Sequence, residues 1–270
     1  MLQLRITNIE INISADEDTS AILTKNYSGL FHSSACVDQI NYVTSYQAET
    51  RCFGITRDGN EIGNYDNPAD FLYFFEKDLT LELQKLRPEL FFLHSAALKL
   101  NDKTILIIGH SGAGKSTTTW ALTHHGFEYF SDELSPIDIK NMHVTGYPHA
   151  ICVKQDPPPP YLLPKATLAT NRTRHIPAEC LAGGIAVGTA RITHIFFVHY
   201  KPEQQNVSIQ PISPALASAK IYANALNQLC HEKSGLPAAT RIALACDSYT
   251  LEFNNVERAC HEIRQLIETD

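Results

Sequence analysis

The chain has 270 residues, 44% of them hydrophobic, enough to bury a sizeable core as one large domain or as a smaller lobe docked on a main one. Its 22 Lys and Arg against 29 Asp and Glu leave a formal charge of −7. With no basic stripe to neutralise phosphates, nucleic acid is not expected as a partner. The seven cysteines (Cys36, Cys52, Cys152, Cys180, Cys230, Cys246 and Cys260) are odd in number and never form a C-x-x-C pair, which suits reduced thiols in a cytoplasmic protein. Met1 to Arg5 lack the basic-then-apolar build of a signal peptide, and no apolar run reaches the length that spans a bilayer, so no membrane association is expected. Twelve histidines are present, but His124-His125, His231-Glu232 and His261-Glu262 all lack the spacing of a metal site.

In chain order, residues 1–66 alternate apolar and polar, as in Leu2–Ile6 and Ile9–Ile13, with a turn signal at Asp58-Gly59-Asn60. This predicts a β-rich lobe of short strands and turns. Asn67-Pro68 starts a predicted helix that runs to Leu86. Leu90–Leu98 and Thr104–Ile108 read as two strands around Asn101-Asp102. Ser116–His125 reads as a helix closed by Gly126, a position that favours positive φ. Phe127–Phe130 is a short strand ending at Ser131-Asp132-Glu133. Residues 155–184, with four consecutive prolines, read as a long loop. Its Arg172 and Arg174 are candidates for phosphate or substrate contacts. The remainder predicts a strand over 192–198, a helix from Pro214 to Cys230 and a last helix over about 255–267.

The segment Gly109-His110-Ser111-Gly112-Ala113-Gly114-Lys115-Ser116-Thr117 matches G-x-x-x-x-G-K-[ST] between a predicted strand and a predicted helix. In that setting the glycines let backbone N–H groups curl around phosphate oxygens, and the helix N-terminus adds partial positive charge. ATP is the expected ligand, with Lys115 bridging the β- and γ-phosphates and Ser116 on Mg²⁺. Asp132 and Glu133 end the next strand, close enough in sequence to face the same phosphates. One carboxylate can hold Mg²⁺, Asp132 being the expected ligand, while the other accepts a proton from an incoming hydroxyl. His94 stands on the strand before the loop, where a histidine is either catalytic or a core residue with a satisfied hydrogen bond.

Three segments together, Leu93-His94-Ser95-Ala96-Ala97, Gly109–Thr117 and Gly126–Glu133, resemble the catalytic core of the HPr kinase/phosphorylase family. The spacing belongs to the resemblance: a histidine fifteen residues before the first loop glycine, and two adjacent acids twenty-three and twenty-four after it. More weakly, Tyr147–Lys154 and the last two helices resemble HPr-kinase-related proteins. The resemblance implies an α/β phosphate-loop kinase core related to phosphoenolpyruvate carboxykinase over residues 89–270; the small β-rich lobe over 1–88, ending in the predicted helix, does not resemble the N-terminal part of the family. The resemblance also implies phosphoryl transfer from ATP to a protein serine, catalytic roles for His94, Lys115, Asp132 and Glu133, and a homo-oligomer.

The family pattern has two aspartates where this chain has Asp132-Glu133, so which acid is the base stays open at this level. A Glu-Arg-Gly segment that the family uses as a further metal ligand and in engaging HPr is absent, which argues against HPr as the acceptor; resemblance to shorter relatives associated with peptide modification implies a peptide or protein serine, with a small-molecule hydroxyl as the alternative. Two other readings stand beside the kinase: an ATP-binding regulatory or assembly module or ATPase with no phosphorylated acceptor, and a carboxykinase-like lyase.

Overall fold

A computed structural model of the chain describes residues 1–31 and 38–269; Cys36 lies outside them. The elements are mixed α and β. Strand β1 (Leu2–Ile6) turns through Thr7 and Asn8, both at positive φ, into β2 (Ile9–Ala15), so that Ile6 faces Ile9 across a two-residue hairpin. Helix α1 (Glu17–Tyr27) follows, capped by the Asp16 side chain, which accepts from the Thr19 amide. The alternation of residues 1–66 did not anticipate this helix. It serves as the crossover that brings β3 (Asp38–Gln47) parallel to β2. Strands β4 (Cys52–Arg57) and β5 (Asn60–Tyr65) complete a meander. Helix α2 (Pro68–Leu86) begins where the Asn67-Pro68 signal places it, with the Asn67 side chain accepting from the Asp70 amide.

Next come β6 (Phe91–Leu93), β7 (Ala96–Leu100), β8 (Lys103–Ile108), α3 (Lys115–His124), β9 (Glu128–Ser131), β10 (Ser135–Asp138) and β11 (His143–Thr145). The chain continues through β12 (Ile151–Val153), β13 (Leu168–Ala169), β14 (Arg174–Ile176), β15 (Thr189–Tyr200) and β16 (Ser208–Pro211). It ends with α4 (Pro214–Ala223), α5 (Leu236–Ala245), β17 (Asp247–Phe253) and α6 (Val256–Thr269). No helix among the described residues is long and apolar enough to cross a membrane.

The chain forms two compact units. The first comprises Met1–Arg87, Pro148–Asp156 and Leu162–Cys180. Its five-stranded sheet runs β1-β2-β3-β4-β5, and the inward residues Ile11, Ile13, Ile40, Tyr42 and Ile55 are buried. Aromatic rings knit this core, with Phe75 of α2 4.8 Å from Tyr42 and 5.7 Å from Tyr27. Residues 148–156 and 162–180 belong to this unit, although the sequence places them in the second domain. The predicted long loop over 155–184 is here partly strand: β12, β14 and β13 form an antiparallel three-stranded sheet. Periodicity is too short to reveal β13 and β14: β14 is held by pairing with β12, and β13 by pairing with β14, rather than by an apolar face of their own. Within it His175 is buried 2.9 Å from the Asn26 side-chain oxygen of α1. Arg172 pairs with Asp70 at 2.6 Å and Arg174 with Asp156 at 3.4 Å, so both guanidinium groups have protein partners within the unit.

The second unit comprises Pro88–Tyr147, Pro157–Tyr161 and Leu181–Asp270. Its sheet has nine strands in the order β6-β10-β11-β15-β8-β7-β9, with β17 pairing β15 and β16 pairing β17. β15 is parallel to both β8 and β17. Leu106, Ile108, Ile195 and Phe197 share one apolar cluster with Ala217 and Ile221 of α4 and Ala239 and Ile242 of α5. The alternate residues Ile105, Ile107, Phe196 and Val198 are buried too, as the parallel centre of a mixed sheet covered on both faces requires. Helix α4 stops at Ala223, seven residues short of the predicted end at Cys230. α5 and β17, which local sequence pattern does not predict, pack against and pair within this sheet. The early stop has a structural cause: Leu93 bridges Ala225, and Leu226 donates to the Phe92 carbonyl, so residues 224–226 leave the helix to line β6.

Candidate functional site

Strand β8 delivers the chain into Gly109 at the end of the parallel sheet, and α3 carries it away from Lys115. The turn between them requires its glycines. Gly112 and Gly114 sit at φ +86° and +91°, and a Cβ on Gly109 would lie 2.9 Å from a Val198 methyl and 3.0 Å from Ala113. The Ala113 amide donates to the His110 carbonyl and the Thr118 amide to the Gly114 carbonyl, closing the loop onto the first turn of α3. His110, Ser111 and Gly112 are exposed, and His110 Nδ1 donates to the Ser111 carbonyl at 2.9 Å. Ala113 and Lys115 are buried; Ser116 and Thr117 are half-buried on the first turn of α3.

The acid–histidine cluster arises from an interrupted antiparallel ladder. Segments 91–100 and 128–138 pair twice, Leu93 opposite Ser135 and Ala97 opposite Ser131. Between these pairs the strands part, leaving His94 and Ser95 facing Asp132, Glu133 and Leu134. Side chains in such a gap are released from the alternation of the sheet. His94 Nε2 donates to Glu133 Oε2 at 2.7 Å, both side chains being 36% exposed.

Asp132, by contrast, has no solvent exposure. Lys115 Nζ donates to the Asp132 carbonyl and lies 3.2 Å from Oδ1 of the same residue and 3.6 Å from Glu133 Oε1. Burial alone would push the Lys115 amine down, but the carboxylates of Asp132 and Glu133 outweigh it and hold the amine above its ordinary value, so it stays charged. Asp132 Oδ2, also buried, accepts no hydrogen bond among the described residues. A buried carboxylate oxygen with no partner is the donor that a hard cation such as Mg²⁺ takes, and the residue fits such an ion. No group of three or more His, Cys, Asp or Glu among the described residues could hold a metal alone. An ion at Asp132 would therefore need further donors such as water or phosphate oxygens, which is how Mg²⁺ is commonly held.

No family model matches the chain, and no curated protein matches it. Among solved structures it is similar to the HPr(Ser) kinase/phosphatase from Coxiella burnetii, at 13% identity over 66% of this chain and 91% of that one, with a TM-score of 0.31.

The structure brings His94, Lys115, Asp132 and Glu133 together at the mouth of the 109–117 loop. It also reveals supporting residues to which sequence reasoning gave no role. Ser95, Ser131 and Ser135 are fully buried beneath the cluster. Ser95 Oγ donates to Ser135 Oγ at 2.8 Å, and Ser135 Oγ donates to the Ser95 carbonyl at 3.1 Å. Ser135 has then spent its one proton, so the Ser131 hydroxyl, 3.2 Å away, is the donor of that contact. The three hydroxyls clamp the backbone next to His94 and Asp132. From the other side the Asn224 carbonyl accepts the His94 amide at 2.9 Å, and the Asn227 side chain bonds the Phe92 amide and the Leu90 carbonyl. Serines flanking His94 and Asp132 were visible in the sequence, but nothing there linked them to Ser135 or to residues 224–227.

Proposed function

We propose that this chain is an ATP-dependent kinase that transfers the γ-phosphate to a hydroxyl, a serine of a peptide or protein being the acceptor. The observation that carries the reading is the division of labour between two adjacent acids at the mouth of a G-x-x-x-x-G-K-S loop. Asp132 is buried against Lys115 with one oxygen unsatisfied, and Glu133 is half exposed on His94. A protein that only bound nucleotide would have no need of a carboxylate held ready by a histidine and open to an acceptor.

In this reading the loop amides and the charged Lys115 hold the β- and γ-phosphates. Ser116 and Asp132 would hold Mg²⁺, which when bound supplies neutralisation of charge on the phosphate oxygens. Glu133 accepts the proton of the acceptor hydroxyl as its oxygen bonds to the γ-phosphorus, and the bond from that phosphorus to the β–γ bridging oxygen breaks to leave ADP. His94 orients Glu133 through its Nε2 proton. The Asp-Glu order of this chain is accommodated because the longer Glu133 side chain reaches outward while Asp132 stays beneath the loop.

The test is single-turnover transfer of labelled γ-phosphate to a trapped acceptor, with ATP binding measured on the same samples. With Asp132→Asn and Glu133→Gln combined, the loop and Lys115 should still bind nucleotide while transfer collapses by more than about 10²–10⁴-fold, since general-base and metal contributions are both lost. Transfer at the wild-type level in that variant would overturn the mechanism. Tight ATP binding by the wild type with no transfer to any acceptor would turn the reading toward a nucleotide-binding regulatory module.

A further inference from the structure

We infer that the outward face of Tyr200 receives the base of the bound nucleotide, an inference that rests on the reading of the 109–117 loop as a triphosphate site. Strand β8, which opens into the loop, lies between β7 and β15. On the β7 side stand His94, Asp132 and Glu133, the groups that the γ-phosphate must reach. A triphosphate laid along the loop with its γ end there sends its nucleoside toward the ends of β15 and β17.

Those two strands end in aromatic residues, Tyr200 and Phe253. The Tyr200 amide donates to the Ala113 carbonyl at 3.0 Å, which fixes the tyrosine backbone to the loop itself. Gly114 packs directly on the pair: a Cβ there would lie 3.0 Å from Phe253 Cζ and 3.4 Å from Tyr200 Cβ. The two rings meet edge-on, centroids 5.8 Å apart at 66°. Phe253 is 2% exposed and backs the contact, whereas Tyr200 is 47% exposed. A large aromatic ring anchored at its backbone, supported from behind and open on one side is a platform for a planar ring, and nucleobases stack on such rings whatever their hydrogen-bonding edges. The ligand class is therefore a nucleoside triphosphate gripped through stacking, with little discrimination between adenine and guanine.

Two probes separate base from phosphate: ATP and inorganic tripolyphosphate, each with Mg²⁺, titrated calorimetrically into wild type, Tyr200→Ala, Tyr200→Leu and Tyr200→Phe, with thermal unfolding as a check of integrity. Tyr200→Ala and Tyr200→Leu should weaken ATP about tenfold or more while leaving tripolyphosphate affinity unchanged, and Tyr200→Phe should bind both as wild type does. ATP affinity unchanged in Tyr200→Ala and Tyr200→Leu, or an equal loss for both probes, overturns the inference alone. A wild-type chain that binds neither probe overturns the triphosphate reading of the loop and this inference with it.

Discussion

The ammonium of Lys115 lies 3.2 Å from Oδ1 of Asp132, a carboxylate with no exposure to solvent. Two opposite charges are buried together, and removing one strands the other. Lys115→Met is expected to cost about 3–5 kcal/mol of stability in urea unfolding, and adding Asp132→Asn should recover much of it. ATP with Mg²⁺ is expected to stabilise the wild type, since a ligand that binds only the native state raises its stability, and the same lysine variant should lose that gain. A lysine variant with wild-type stability, or with its ATP stabilisation intact, would contradict the pairing or the ligand.

His94 and Glu133 form a unit, so their substitutions should not add. Glu133→Gln is expected to slow phosphoryl transfer about 10²–10⁴-fold, and His94→Ala less. The double variant should be no slower than Glu133→Gln, since an orienting histidine has nothing left to orient. Independent, multiplying losses in single-turnover assays would give His94 a separate role.

The serine cluster supports the gap in the ladder. Ser135→Ala leaves the Ser95 and Ser131 hydroxyls buried without their partner, which should cost about 1–3 kcal/mol. If the clamp also sets the backbone of His94 and Asp132, transfer at saturating ATP should fall while ATP affinity holds. A stability loss with an unchanged transfer rate would confine the cluster to folding.

His175, in the first unit, makes stability depend on pH. Burial pushes its imidazole down, Glu76 opposes this and His149 adds to it, leaving it at about 4. The unfolded chain titrates that histidine near about 6.5, so between those values only the unfolded state binds the proton. The contribution is full above about pH 6.5 and is lost as pH falls towards about 4, by ~3 kcal/mol at most. In His175→Gln the slope of unfolding free energy against pH over that window should flatten. An identical slope in the variant would place the pH sensitivity elsewhere.

What the sequence alone determined is what short-range chemistry decides. Asn67 followed by Pro68, ahead of a run of apolar residues, is a local helix-start signal, and helix α2 starts there. The glycines of 109–114 turn a strand into a helix because only they tolerate the φ values that Gly112 and Gly114 adopt. The tertiary structure decided everything that depends on pairing between distant segments. His94 and Glu133 are 39 residues apart, and they meet because Leu93 pairs with Ser135 and Ala97 with Ser131, leaving a gap between. That register also sends Asp132 inward and Glu133 outward, a choice that two adjacent acids cannot announce in a sequence. Pairing likewise ended α4 at Ala223, where the following residues line β6, and turned part of the expected 155–184 loop into β14, beside β12, and β13, beside β14. Where His94 meets Glu133, where α4 ends and where β14 joins β12, a backbone hydrogen-bonding group found its partner far along the chain, and local propensity carries no record of such partners.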